Sequence, residues 1–314
     1  MFTAYDNSTL RRLTGGVTVS PVLPFDSLSA HTALFNDNRG RISLSGAQSK
    51  YSVCIKDGKF TLTQQGEQGT YMLKPMLSDF ERCSDSPANE HLTMQIAERV
   101  FHIETAANAL CFFENGDAAY ITRRYDFAQS GMKIQQEDFA SLGGITADRY
   151  GKDYKYTALS YEDIGRLIKH FLPAWRVEMV KYFDIILFNF LFSNGDAHLK
   201  NFSVLRLPEG DYRLAPAYDL IDTHLHLPSD GIFALQKGLF ADGRKFPLGI
   251  GRKDFADFGL CLGIPERVVC RELDRFTADY PEVEEMVRCS FLSDEAKALY
   301  YEHYHTRLVS FLRG

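Results

Sequence analysis

"YFDIILFNFLFSNGDAHLKNFSV" (182–204) is the stretch on which the reading of this chain turns. From Ile185 to Phe192 it is apolar nearly all round, the pattern of a helix buried on every face. It is too short, and too interrupted by Asp184 and Asn189, to cross a bilayer. The run then breaks into "SNGDAHLKNFSV" (193–204), which gathers Asp196, Lys200 and Asn201. A polar cluster at the end of a rigid core helix is well placed for function. Downstream, "LAPAYDLID" (214–222) adds Asp219 and Asp222 after a short strand. An acid, an amide five positions on, and a second acid about twenty further is the order used in phosphoryl transfer. The first carboxylate would orient and deprotonate a hydroxyl, while the amide and second carboxylate hold magnesium, a hard cation that prefers oxygen. The bland reading of the same residues is a capped helix end followed by a solvated polar loop.

Upstream the pattern is β. "YSVCI" (51–55), the turn signal Asp57-Gly58, "KFTLT" (59–63) and "TYMLKP" (70–75) predict three strands, the last ended by Pro75. Ser86-Pro87 predicts a helix start with Ser86 as N-cap, and "ANEHLTMQIAERVF" (88–101) is apolar at Leu92, Ile96, Ala97 and Val100. Strands return at "NALCFFE" (108–114) and "AAYITRRY" (118–125) around Asn115-Gly116. Lys74 in its strand would neutralise nucleotide phosphates, with Glu90 on the helix as its ion-pair partner. Taken singly, a Lys in a strand is usually a solvated edge residue and Glu90 a surface helix acid. The loop "RISLSGAQSKYSV" (41–53) has one glycine and is no Walker A motif, yet its backbone N–H groups can cradle phosphate. Residues 1–40 show no clear period and read as irregular, with short strands at most.

Past residue 127 the character turns helical. "SYEDIGRLIKHF" (160–171) opens with a capping pair, Ser160 and Asp163, and helices follow Pro265 and Ser293. Only "FSVLRL" (202–207) and "YRLAP" (212–216) read as strand pieces. The expectation is an α+β fold of two lobes: a β-rich lobe over 1–127 and a larger helical lobe over 128–314, with a ligand cleft between them.

Composition bounds the function. The 314 residues are 45% hydrophobic and 24% charged, which excludes global disorder. A net charge of -6 argues against strong nucleic-acid binding by this chain alone. The six cysteines form no C-x-x-C pair and read as buried free thiols of a reducing compartment. The N-terminal residues hold no apolar core of a secretory signal, so a cytoplasmic, membrane-free protein is expected. His224/His226 and His303/His305 have H-x-H spacing without a third ligand cluster, and read as surface or packing histidines. Gly-x-Ser-x-Gly is absent, which weakens a serine-hydrolase reading.

"RISLSGAQSK", "YMLKP", "NEH", "ITRRYDF", "NGDAHLKNFSV" and "PAYDLI" together resemble the HipA family of bacterial serine/threonine kinases, toxins of type II toxin–antitoxin systems. The resemblance implies a kinase that uses ATP and Mg2+. It places the catalytic aspartate on Asp196, the magnesium ligands on Asn201 and Asp219, and the phosphate lysine on Lys74. Glu90 would support that lysine. It lays the glycine-rich loop over Ser45, Gly46, Ala47, Gln48, Ser49 and Lys50, and the adenine hinge over Arg123, Arg124 and Tyr125. His198, Lys200 and Tyr218 fall where the family contacts nucleotide. The inhibitory autophosphorylation site falls on Ser43, and Ser45 adds the second serine of the HipT branch. HipA proteins carry a further N-terminal subdomain before this loop, where only roughly forty residues stand here. That shortened form also resembles HipT, whose missing subdomain is a separate antitoxin, HipS, beside the DNA-binding HipB. The implied partners are therefore HipS-like and HipB-like proteins, with DNA reached only through the partner and an aminoacyl-tRNA synthetase as substrate. The rival expectations are a nucleotide-binding regulatory module that tunes assembly with a DNA-binding antitoxin, and a small-molecule kinase.

Overall fold

The computed structural model describes residues 7–25, 50–64, 66–78, 80–128, 131–208, 210–246 and 249–312. Ser43, Ser45, Gly46, Ala47, Gln48 and Ser49 lie outside them. Helix α1 (Asn7–Thr14) replaces the irregular segment expected there; its Leu13 is fully buried in the core of the first lobe. Two apolar positions, Leu10 and Leu13, were too few to declare its period.

Strands β1 (Tyr51–Lys56) and β2 (Lys59–Leu62) pair antiparallel across Asp57-Gly58. Both turn residues have positive φ, 49° and 70°, as a two-residue hairpin of matching twist requires. Strand β3 (Tyr71–Pro75) ends at its proline, which has no N–H to continue a ladder. Helix α2 (Ser86–Arg99) follows. Asp85, not Ser86, is its N-cap residue; the Ser86 hydroxyl instead accepts from Leu77 N at 2.9 Å and donates to Cys83 O at 2.8 Å. Strands β4 (Asn108–Phe112) and β5 (Ala118–Arg123) complete an antiparallel sheet of five, in the order β2-β1-β3-β5-β4.

The second lobe begins with β6 (Gln136–Asp138), too short to declare itself in the sequence. Helix α3 (Tyr161–Phe171) has the expected capping box, with Ser160 Oγ accepting from Asp163 N at 3.1 Å and Asp163 Oδ2 from Ser160 N at 3.0 Å. Helix α4 (Trp175–Leu191) runs through the larger core. Phe188 and Phe192 stack there with ring centroids 4.4 Å apart, and both are essentially unexposed. Each such ring contributes about 1.5–3 kcal/mol by leaving water, so the end of α4 is a fixed platform. Strands β7 (Ser203–Arg206) and β8 (Tyr212–Leu214) join β6 in an antiparallel sheet ordered β6-β7-β8. Four helices close the chain: α5 (Arg252–Cys261), α6 (Glu266–Phe276), α7 (Pro281–Arg288) and α8 (Asp294–Leu312). The helices after Pro265 and Ser293 were expected; α5 and α7 were not.

Two clusters of buried side chains underlie the lobes, and α2 is the hinge pin between them. Its Leu92, Met94 and Ile96 belong to the larger cluster, although the helix packs against β4 and β5 of the sheet. The segment after α2 also pairs with the second lobe, through Ala106 N to Ala217 O at 2.9 Å and Ala217 N to Glu104 O at 2.8 Å. All six cysteines are free, as expected, but only Cys111 is buried; Cys261 and Cys270 are exposed. No helix among the described residues is long and apolar enough to cross a membrane.

Candidate active site

Three elements bring charge together at one end of the cleft. Lys74, on β3, reaches Glu90 Oε1 on α2 at 2.6 Å and Asp219 Oδ1 at 2.5 Å. Lys74 and Glu90 have side chains only 4% exposed, so this is a desolvated ion cluster rather than a surface pair. Burial alone would lower the Lys74 pKa, but Asp219 and Glu90 outweigh it and hold the ammonium charged. Burial would likewise raise Asp219; Lys74 and Lys50 overcome that and keep it well below the carboxylate range. Glu90, by contrast, is raised by burial despite its lysine. Lys50 Nζ adds a second cation, 3.9 Å from Asp219 Oδ2. Asp219 itself has φ 55°, a left-handed backbone that a non-glycine residue adopts only when its surroundings impose it. The imposing contacts are the paired strand segment at Ala217 and Asn194 Nδ2, which donates to Asp219 O at 3.3 Å.

The loop after α4 supplies the second half of the site. Ser193 also has a left-handed φ of 50°, and its carbonyl accepts from Thr223 N and Oγ1, both at 3.1 Å. Asn194 is the keystone: its Nδ2 donates to Asn189 Oδ1 at 2.8 Å, and its Oδ1 accepts from Asp196 N at 3.2 Å. Gly195 is obligatory, because a Cβ there would stand 2.4 Å from Asp230 Oδ2 and 2.5 Å from Gly231 O. Asp196 follows. Its Oδ1 accepts a 2.7 Å hydrogen bond from the Tyr156 hydroxyl. Burial pushes its pKa up to about 6, with Tyr156 and Lys155 pulling the other way. His198 is 1% exposed and 2.9 Å from Lys155 Nζ through Nε2; burial first, then that ammonium, lowers it to about 3 and keeps it neutral. Lys200 Nζ lies 3.8 Å from Asp138 Oδ2.

Between these halves lies a cavity of about 950 Å³, lined by Lys50, Lys74, Arg123, Arg124, Tyr125, Tyr156, Lys200, Asn201, Tyr218 and Asp219 among others. That is ample for a nucleotide-sized ligand. The hinge side carries an aromatic wall: the Tyr125 and Tyr218 rings lie 5.3 Å apart, and the Tyr218 hydroxyl is 2.6 Å from Ser203 Oγ and 2.8 Å from Lys200 O. Arg124 is locked by a two-point pair with Asp126, at 3.0 and 2.6 Å. Asn201 Oδ1 is buried without a hydrogen-bond partner among the described residues, and its Nδ2 faces Asp219 Oδ2 at 3.5 Å. An orphaned amide oxygen beside a fixed carboxylate suits a hard cation with few protein ligands, so Asn201 and Asp219 fit magnesium. No group of three or more His, Cys, Asp or Glu able to hold a metal occurs among the described residues.

The expected site residues that the structure describes therefore gather at one cleft. Glu90, Asp196 and His198 stand behind its wall: Glu90 holds Lys74, Asp196 holds Tyr156 and His198 holds Lys155. Sequence reasoning missed Lys155, Tyr156 and Asn194. Asn194 sits inside the quoted motif and could have been weighed. Lys155 and Tyr156, some forty positions upstream in a polar stretch, carry no local signal.

The HipA-like C-terminal domain family matches residues 42–283 of the chain. A Haemophilus influenzae protein named "Putative kinase" is 27% identical across 97% of this chain and 92% of its own length. The serine/threonine-protein kinase toxin HipA of Shewanella oneidensis is 24% identical across 87% of this chain, which spans only 64% of that protein. Among solved structures, a chain of the Shewanella oneidensis complex of HipA, HipB and operator DNA aligns with a TM-score of 0.65 at 22% identity, over 88% of this chain and 66% of that one. The Helicobacter pylori proinflammatory kinase CtkA aligns with a TM-score of 0.54 at 16% identity, over 83% and 94%. These likenesses establish the two-lobed, kinase-like α+β fold.

Proposed function

The chain belongs to the HipA-like C-terminal domain family, and we propose that it is an ATP- and Mg2+-dependent protein serine/threonine kinase acting as a growth-inhibiting toxin. The observation that carries this is the opposite tuning of two carboxylates at one cleft. Asp219 is held charged by Lys74 and Lys50, while Asp196 is raised to about 6 and grips a hydroxyl. Separated pKa values of this kind support reading Asp219 as a charged anchor and Asp196 as a general base. Lys74 and Lys50 neutralise the phosphates of ATP, and Tyr125 and Tyr218 flank the base-binding side. Asp196 takes the proton of the acceptor hydroxyl as the new O–P bond forms and the bond from the γ-phosphorus to the bridging oxygen breaks, releasing ADP. Magnesium, when bound at Asn201 and Asp219, adds charge neutralisation to the phosphates.

The acceptor in this proposal is an aminoacyl-tRNA synthetase, and autophosphorylation at Ser43, Ser45 or both switches the enzyme off. Phosphorylation adds nearly two negative charges to a loop that must receive ATP phosphates, so repulsion ejects it. The partners are a HipB-like DNA-binding protein and a HipS-like antitoxin, in the cytoplasm. Support for the first comes from the solved relative, whose complex contains HipB and operator DNA. The test is incubation of the purified protein with ATP, Mg2+ and a panel of synthetases, followed by phosphosite mapping. Phosphate on one synthetase and on the loop serines is expected. Nucleotide binding with no transfer to any protein would replace this reading with that of a regulatory module.

A further inference from the structure

The geometry points to Tyr156 as an internal phosphoacceptor, a site of intramolecular tyrosine phosphorylation; this rests on the kinase reading above. A general base must stand within about 2.6–3.2 Å of the proton it removes. The hydroxyl that Asp196 holds in this structure is that of Tyr156, at 2.7 Å. Tyr156 lines the cavity that also contains Lys74, Asn201 and Asp219, whereas Asp196 is not part of the cavity wall. The tyrosine thus occupies the place that any external acceptor must take, with its proton already directed at the base.

The neighbours suit the product as well as the reactant. Lys155 Nζ lies 4.7 Å from the centroid of the Tyr156 ring, so a cation is at hand for a new phosphate. The helical turn Tyr154–Thr157 contains no buried residue and follows Gly151, whose φ is 82°. Tyr154 packs against the larger core, so any shift of the hydroxyl comes from the half-buried Tyr156 side chain rather than from the segment as a whole. The transfer forms the bond between Tyr156 Oη and the γ-phosphorus of ATP and breaks the bond from that phosphorus to the bridging oxygen. The hydroxyl proton passes to Asp196, and ADP leaves. A phosphate of nearly two negative charges beside the Asp196 carboxylate then bars further acceptors, which makes the reaction self-limiting.

The experiment is phosphosite mapping of the purified full chain after incubation with ATP and Mg2+ at several protein concentrations. Wild type is expected to carry phosphate on Tyr156 at a rate independent of protein concentration, and Asp196→Asn to carry none. Phosphate on the loop serines or on an added protein acceptor, with none on Tyr156, overturns the inference and leaves the kinase reading standing. A Tyr156 rate that rises in proportion to protein concentration overturns the intramolecular geometry. Absence of transfer to any residue removes both.

Discussion

Asp219 lines the cleft and Asp196 stands behind its wall; they are tied through one side chain, Asn194, yet stand in different electrostatic regions. Around Asp219 the structure concentrates cations: Lys74 at 2.5 Å and Lys50 at 3.9 Å. Around Asp196 burial outweighs the Tyr156 phenol and the Lys155 ammonium, and His198 is kept uncharged nearby. The first region is an anchor that holds its charge under all working conditions. The second is poised to exchange a proton near neutrality. Both are positioned by the same device, a non-glycine residue in the left-handed region at the start of each segment, Ser193 and Asp219.

Removing the cation from the anchor breaks this comparison most severely. Lys74→Ala leaves Glu90 and Asp219 facing each other with only the more distant Lys50 to compensate, and a loss of about 3–5 kcal/mol in urea unfolding is expected. Adding Glu90→Gln to that variant should restore part of the stability. If Lys74→Ala unfolds like wild type, the cluster is not the desolvated pair described here.

Changing pH acts on the poised region through Asp196. In the proposed mechanism transfer needs the Asp196 carboxylate ionised, so kcat/KM should fall about tenfold per unit as pH drops below about 6. Stability runs the other way. A carboxyl raised from 3.8 to about 6 contributes stability fully present below its unfolded value and lost as pH rises through about 6. Asp219, depressed in the fold, contributes stability at neutral pH that is lost only in strong acid. Asp196→Asn should therefore melt higher than wild type at pH 8, with the gain shrinking as pH falls below about 6 and gone below the unfolded value of 3.8. A smaller change sharpens the same point. Tyr156→Phe removes the hydrogen bond that favours the ionised form, and the acid limb of kcat/KM should move up by about one pH unit. An unmoved limb would mean that the phenol does not tune the base. Smallest of all, Lys50→Ala should cost less than about 1 kcal/mol of stability, since the pair is long and partly exposed. Its effect should appear as weaker nucleotide binding, read by calorimetry.

Where local chemistry sufficed, the sequence was legible. Asp57-Gly58 declared the β1–β2 hairpin, Ser160 and Asp163 declared the start of α3, and the unbroken apolar run declared α4. The Lys74–Glu90 ion pair and the approach of Asn201 to Asp219 agree with the order and spacing in the sequence. Elements defined by tertiary contact did not show. Strand β6 exists because β7 offers it an edge, and α1 because two leucines find the sheet's core. Ser86 was misassigned as a cap because its hydroxyl is used by Leu77 from outside the helix. Tyr156 and Lys155 reach the loop after α4 from 40 and 43 positions away, a proximity that no local pattern encodes.

The most direct test of the account is single-turnover transfer from ATP by wild type and Asp196→Asn, with nucleotide affinity measured on the same preparations. The account predicts a loss of about 10²–10⁴-fold in transfer for the variant, the span of a general base, with affinity essentially unchanged. Transfer by Asp196→Asn at the wild-type rate, or its loss only in step with nucleotide binding, would contradict the assignment of Asp196 as the base.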